Sequence, residues 1–197
     1  MPPNITTFGP QDAWPTAVIT PIQTHGDRIV EIISGTENLE NCDGLWTRDP
    51  SKLLGIQTAD CAPVVFIGQK KIGILHAGWR GICGNICEQM IEIFSSPDSR
   101  ESGLKVYCGP ILPIFEIQKD DCYHQIKQKF GTNFFETQEG KTLFHFQKAL
   151  EKIFTDQNIQ PSFDPRSTYA DLALSSWRRD RNTDRNLTVV GDCVSPS

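Results

Sequence analysis

Three short segments of this 197-residue chain carry groups able to do chemistry: Gln23-Thr24-His25-Gly26, Thr58-Ala59-Asp60-Cys61 and His76-Ala77-Gly78-Trp79-Arg80-Gly81. Each sets a metal ligand or catalytic group beside a small residue, so backbone and solvent can approach it closely. Together they offer two imidazoles and a thiol. Nitrogen and sulfur donors of this kind suit Zn²⁺, and three of them leave a fourth position for water, as a catalytic zinc site requires. The long separations between His25, Cys61 and His76 match no zinc-finger spacing, so by position alone the same residues are as readily hydrogen-bonded core groups at strand ends. Without a metal they form a Cys/His arrangement in which an imidazole lowers the thiol pKa and yields a thiolate nucleophile. Asp60 is placed to orient a histidine and equally to cap a helix or end a strand.

Two basic features accompany these donors. Gly78 and Gly81 permit a tight turn after His76, and amides opening the following helix, with Arg80 beside them, suit an anion such as phosphate. Near the other end of the chain, Arg178, Arg179, Arg181 and Arg185 offer guanidiniums that fit phosphate or carboxylate, although a solvated basic loop has the same composition.

The elements that must position these groups are readable from apolar patterning. Leu53 to Thr58, Pro63 to Ile67 and Ile72 to His76 predict three buried strands, the last two joined as a hairpin by the polar turn Gly68-Gln69-Lys70-Lys71. Ile82, Ile86, Met90 and Phe94 recur at helical spacing and predict one helix ending near Ser95-Ser96-Pro97, with Arg80 just before it. Cys83 and Cys87 then share one helical face as core residues. Lys105 to Cys108 and Ile114 to Ile117 predict strands, and Asp120 an N-cap for a helix through Phe130. Glu139-Gly140 predicts a turn before a strand at Thr142 to Phe144. A helical pattern through Leu150, Ile153 and Phe154 follows, then a strand at Leu187 to Val190. Hairpins mixed with separate helices predict an α+β fold, with the whole chain, 1–197, forming one domain.

Composition narrows the function. A net charge of −5 argues against nucleic acid and anionic membranes as partners. No basic-then-apolar leader opens the chain and no run approaches the roughly 20 apolar residues of a membrane span, which predicts a cytoplasmic protein. Seven cysteines (Cys42, Cys61, Cys83, Cys87, Cys108, Cys122 and Cys193) are an odd number, which predicts reduced thiols and no disulfide scaffold.

The motifs taken together resemble the YfiH-type family, long labelled multicopper polyphenol oxidase or laccase-domain proteins and associated with purine nucleoside phosphorylase activity. The resemblance runs through Gln23-Thr24-His25-Gly26, Asp43-Gly44-Leu45-Trp46-Thr47, Thr58-Ala59-Asp60-Cys61-Ala62-Pro63, His76 to Gly81, Gly109-Pro110 and Ser176-Trp177-Arg178-Arg179-Asp180. It implies mixed sheets flanked by helices and a metal site at His25, Cys61 and His76 that takes zinc, with copper as the other occupant. It further implies phosphorolysis of adenosine, inosine, guanosine or methylthioadenosine, together with adenosine deamination. Purine nucleoside and phosphate are then the partners, Asp60 or a histidine moves protons, and Arg80, Arg178 and Arg179 contact phosphate or substrate. The chain also departs from the family pattern. Only 24 residues precede His25, a shortened N-terminal region. Arg178-Arg179-Asp180-Arg181 and Asp184-Arg185 replace the usual Arg-Arg-Asp-Gly and Gly-Arg, and Trp177 stands where Tyr is common. The oxidase label sits poorly with four histidines, because oxygen reduction needs copper ligands beyond one His₂Cys site. The alternatives are an amidase that edits a peptidoglycan precursor, and a metal-binding protein lacking full catalytic activity. Oligomeric state is left open.

Overall fold

The three strands between Leu53 and Ala77 are mostly apolar because they supply two stacked sheets, one of which is covered on both faces. A computed structural model describes residues 3–95 and 103–192; Cys193 and the Ser96-Pro97 end of the expected helix lie outside the described residues. In chain order the strands are β1 (Asn4–Phe8), β2 (Val18–Ile19), β3 (Ile29–Glu31), β4 (Gly44–Thr47), β5 (Leu53–Thr58), β6 (Ala62–Ile67) and β7 (Ile72–Ala77). Helices α1 (Trp79–Cys83) and α2 (Ile86–Ser95) follow, then β8 (Lys105–Cys108), β9 (Phe115–Ile117) and α3 (Asp121–Phe130). The chain continues through β10 (Phe135–Gln138), β11 (Lys141–Phe144), α4 (Phe146–Thr155), β12 (Ser162–Phe163), α5 (Trp177–Asp180) and β13 (Asn186–Gly191).

A six-stranded sheet, β12-β8-β6-β7-β4-β3, is the centre of the fold. Side chains alternate across it. Val64, Phe66 and Leu75 pack with Met90 and Phe94 of α2 and with Leu150 and Phe154 of α4, while Val65, Ile72 and Ile74 meet Leu54, Ile56 and Val190. The latter come from a four-stranded sheet, β1-β13-β5-β2, and a three-stranded sheet, β10-β11-β9, completes the α+β architecture.

The expected single helix from Ile82 to Phe94 is two helices. Asn85, in the left-handed region at φ 66°, breaks the run, and α1 begins three residues before Ile82, so Arg80 lies inside a helix and does not precede one. Lys129 on α3 holds the break: its ammonium donates to the Ile82 carbonyl, to Asn85 Oδ1 at 2.7 Å and to Glu88 Oε1 at 2.6 Å. Cys83 and Cys87 therefore sit on different helices, only Cys87 being fully buried. Asp120 caps α3 as expected, accepting from the amides of Cys122 and Tyr123. All six described cysteines are free thiols.

The register gathers the chemical groups at one end of the central sheet. In the β6–β7 hairpin Pro63 faces His76 and Ala62 faces Ala77, so the turn carrying Cys61 and the last residues of β7 are neighbours. On the other side of β7, Gly44 faces Leu75, which sets Asp43 beside His76.

Candidate metal centre

His25, Cys61 and His76 converge although they lie far apart in the chain. Their ligand atoms all fall within 4.8 Å of one another. The two imidazoles meet edge to face, with centroids 4.6 Å apart and planes at 75°. Backbone strain flanks the cluster: His25 and Asp60 both adopt left-handed φ, at 62° and 86°, which non-glycine residues visit rarely. Gly78 makes the space. A Cβ there would stand 3.1 Å from Cys61 Sγ and 3.4 Å from His25 Cδ2. Because Gly78 has ordinary extended backbone, only the need for room accounts for a glycine at this place. Two imidazoles and a thiolate, with a cradle that a methyl group would fill, fit a tetrahedral ion such as Zn²⁺.

The residue that organises the cluster is Asp43, to which motif reading gave no role. It is fully buried just before β4. Its Oδ1 accepts from His76 Nδ1 at 2.7 Å and from the His25 amide at 3.0 Å. Its Oδ2 accepts from the amides of Gly26 and Thr24 at 2.8 and 3.1 Å. One carboxylate thus fixes the backbone that presents His25 and, by taking the Nδ1 proton of His76, leaves Nε2 as that ring's donor. Burial works against the Asp43 charge, but the His76 and loop hydrogen bonds outweigh it and hold the carboxyl at about 2. Burial likewise pushes the Cys61 thiol up, and hydrogen bonds from His25 and His76 overcome it, so the thiol ionises below its ordinary range. For His76, burial disfavours the cation, while Asp43 and Cys61 more than compensate and raise its pKa.

Asp60 does something other than orient a histidine. Its Oδ1 accepts from Thr168 Oγ1 at 2.7 Å and its Oδ2 from the Arg178 amide at 2.8 Å, so it ties the turn before Cys61 to α5. Gln23 joins the His25 loop to β5 in a similar way, its amide donating to the Gln57 carbonyl at 2.8 Å and accepting from the Gln57 N–H at 2.9 Å.

The cluster lines a cavity of about 530 Å³ whose walls include Trp79, Phe115, Phe146 and Trp177, with Arg178 and Arg185 as its cations. The Arg178 guanidinium lies 4.6 Å over the Phe115 ring. Arg179, expected beside it, is not in that wall. Its guanidinium donates to the carbonyls of Thr168, Tyr169, Asp171 and Leu174 and pairs with Asp180 at 2.6 Å, which makes it a brace for the 168–180 segment. Arg80 also lies outside this cavity. It stacks 4.4 Å over Trp79 and lines a neighbouring cavity of about 870 Å³. Helix α1 spans only five residues, so the expected anion site on its amides has little dipole behind it.

Among proteins of known name, a purine nucleoside phosphorylase of Staphylococcus epidermidis is 38% identical over 133 residues, covering 61% of this chain and 46% of that protein. The match to that relative therefore spans less than half of the relative's length. The purine nucleoside phosphorylase of Haemophilus influenzae is 35% identical over 184 residues, covering 87% of this chain and 74% of its own. Among solved structures, the Bacillus licheniformis hypothetical protein YfiH superposes with a TM-score of 0.77 at 24% identity, over 89% of this chain and 74% of that one. Neisseria meningitidis protein NMB0706 does so with a TM-score of 0.77 at 22% identity, over 88% and 74%. These two likenesses establish the fold. Since residues 7–192 match it without leaving out any segment that carries the cluster, the chain belongs to the family described as multi-copper polyphenol oxidoreductase laccase.

Proposed function

We propose that the chain is a purine nucleoside phosphorylase that takes adenosine, inosine, guanosine or methylthioadenosine at the His25–Cys61–His76 cluster. The observation that carries this reading is a single cavity joining the three donors to flat aromatic walls and to the Arg178 guanidinium. Its volume of about 530 Å³ suits a ligand of nucleoside size. The names of the relatives supply the reaction class. Arg178 binds and orients phosphate beside the sugar, and Trp79, Phe115 and Trp177 exclude the water that would compete with it. The C1′–N9 bond breaks as a phosphate oxygen bonds C1′, and the phosphate's proton passes to the departing base, giving free base and ribose 1-phosphate, or 5-methylthioribose 1-phosphate from methylthioadenosine. His25, Cys61 and His76 would hold the ion, with Asp43 keeping His76 in the donor tautomer. Zinc, when bound, supplies Lewis acidity. Adenosine deamination is a second activity favoured by the donor set, because three protein ligands leave one position for water.

Oxidase chemistry has less support in the residues. Of the four histidines in the chain, His145 bonds Glu136 at 3.0 Å and His124 packs beside Tyr123 on α3, and the described residues assemble only one three-donor group. A blue-copper centre with an oxygen-reducing cluster needs more.

The test is product analysis of zinc-loaded protein with the four nucleosides, with and without phosphate. Free base and the corresponding pentose 1-phosphate forming only when phosphate is present is the expected result, and inosine from adenosine in either condition marks deamination. Cys61→Ala is expected to stay folded while losing both metal and turnover. Turnover by the folded variant would move the active site elsewhere, and no product from any nucleoside would overturn the reading.

A further inference from the structure

Strand β9 is an outer strand of the three-stranded sheet and pairs with β11 alone. The hairpin between β10 and β11 fixes which of its backbone groups face outward. Glu139 and Gly140 both have positive φ, at 50° and 77°, as in the two-residue turn that closes on a hydrogen-bonded pair, here Gln138 and Lys141. Bonded and non-bonded pairs alternate along an antiparallel ladder, so Thr142 and Phe144 turn their N–H and C=O groups away from β10 and toward β9, where Ile117 and Phe115 face them. Glu116, opposite Leu143, therefore points its own N–H and C=O away from the sheet. Among the described residues, no group bonds to either.

This edge lies along the cavity of about 870 Å³ beside the metal centre. Side chains alternate across a strand, so the fact that all of residues 115–118 line the cavity sets it along the edge of β9 and not over one face. Arg80, Arg178 and Arg181 line the same cleft. Among the described residues none of their guanidiniums has a carboxylate partner, whereas Arg48, Arg166 and Arg179 each have one. The acids of the cleft are largely engaged. Asp120 accepts from the first amides of α3, and the Glu116 side chain pairs with Lys141 at 3.2 Å, which leaves Asp121 against three cations.

We propose that this cleft docks an extended, carboxylate-rich peptide segment of a partner protein, which adds to β9 as a further strand. Its backbone exchanges hydrogen bonds with the N–H and C=O of Glu116, and its acidic side chains meet Arg80 and Arg181. A second copy of this chain is the poorer occupant, because pairing β9 with β9 brings two sets of guanidiniums together. Docking requires no nucleoside, so it stands or falls apart from the phosphorylase reading.

Fluorescence anisotropy of the full chain with a fluorescein-labelled Asp-Val-Asp-Val-Asp peptide tests it, with Lys-Val-Lys-Val-Lys as the charge control. Two N-methylated forms of the acidic peptide, one methylated at both valines and one at the second and third aspartates, block opposite edges of an extended chain. The acidic peptide is expected to bind and the basic one not. One methylated form is expected to lose at least roughly tenfold in affinity while the other matches the parent, because only one edge meets Glu116. Glu116→Pro removes the outward N–H and no bond to β11, proline being tolerated on edge strands, and is expected to lose as much. Arg80→Gln and Arg181→Asn are each expected to lose roughly tenfold, asparagine being chosen because Arg181 has a left-handed φ of 54°. Melting temperatures show that each variant is folded, and the methylated peptides decide the matter if Glu116→Pro is not. No binding of the acidic peptide, equal binding of the basic one, the same affinity for both methylated forms, or wild-type affinity in both arginine variants overturns the proposal. A dimer of the chain alone that Glu116→Pro dissociates in sedimentation would give the edge to a second copy and overturn it as well.

Discussion

Replacing Asp43 by Asn removes one carboxylate oxygen and the charge while keeping the shape, so its consequences can be worked from the four hydrogen bonds it accepts from amides and from His76; the fifth, from the Thr24 hydroxyl at 3.4 Å, can reverse its direction. If the new NH₂ takes the place of Oδ2, the amides of Thr24 and Gly26 lose their acceptor; if it takes the place of Oδ1, the His25 amide and His76 Nδ1 lose theirs. Either way two donors are orphaned. A buried orphan costs about 1–3 kcal/mol, and because Thr24 and His25 are exposed residues the lower half applies, for a total of about 2–4 kcal/mol. In one orientation the His25 loop loosens, and in the other His76 loses the partner that fixes its tautomer. Removing such a partner typically weakens metal binding roughly 10- to 100-fold. Competition against a chromogenic chelator measures that loss for zinc, and the visible spectrum of the Co²⁺ form reports whether the remaining geometry is distorted. Melting of the metal-free protein gives the folding cost separately. Asp43→Asn binding zinc within threefold of wild type, with an unchanged melting temperature, would refute the assignment of Asp43 as the organiser of the site.

Gly78→Ala puts a methyl group 3.1 Å from Cys61 Sγ, so it is expected to lower metal affinity at least tenfold with little effect on the metal-free fold; equal affinity in the chelator assay would show that the cradle has slack. Arg179→Ala strips donors from four carbonyls and is expected to cost about 2–4 kcal/mol in urea unfolding, whereas Arg178→Ala is expected to spare stability and lose turnover; the opposite pattern would exchange their roles. Burial opposes ionisation of Asp164, but hydrogen bonds from Arg166 and Tyr107 prevail and hold it at about 2, so its contribution to stability is complete above the ordinary carboxyl pKa and lost as pH falls toward 2. Asp164→Asn is therefore less stable at pH 7, by a margin expected to shrink between pH 4 and pH 2.5 in urea titrations. A constant margin would refute the linkage.

What the sequence made legible follows from how local each cause is. The β5, β6 and β7 strands were readable because burial on both faces leaves short, largely apolar runs, and α3 because an Asp cap and helical spacing lie within one segment. The short strands β1 to β4 gave no comparable signal: β2 has two residues and β3 three, and pairing with strands distant in sequence is what makes them strands. The break at Asn85 was hidden because the apolar positions keep their spacing across it, and the ammonium that stabilises it comes from another helix. At the site, the ligands are chemically distinctive residues and stand out alone. Asp43 and Asp60 do not, since a carboxylate's role is set by the donors that surround it, and those arrive from other segments. The one available sign was an acidic residue immediately before a wholly buried strand, where an exposed role is ruled out. Arg179 and Arg178 are sequence neighbours pointing to different surroundings, a distinction that exists only after α5 has formed.

The place of β13 in the four-stranded sheet bears on when the site can come into being. It lies between β1 and β5, with Asn186 opposite Thr58, the last residue before the turn that carries Cys61. A ribosome adds roughly 5–20 residues per second, so on the order of 10 s separates the emergence of Thr58 from that of Asn186. Throughout that interval one edge of β5 has no partner, and the apolar face that will cover the central sheet is incomplete. The sheet behind the Cys61 turn is complete only when β13 pairs with β5. Until then the nascent chain carries an open β5 edge able to pair with another copy of itself.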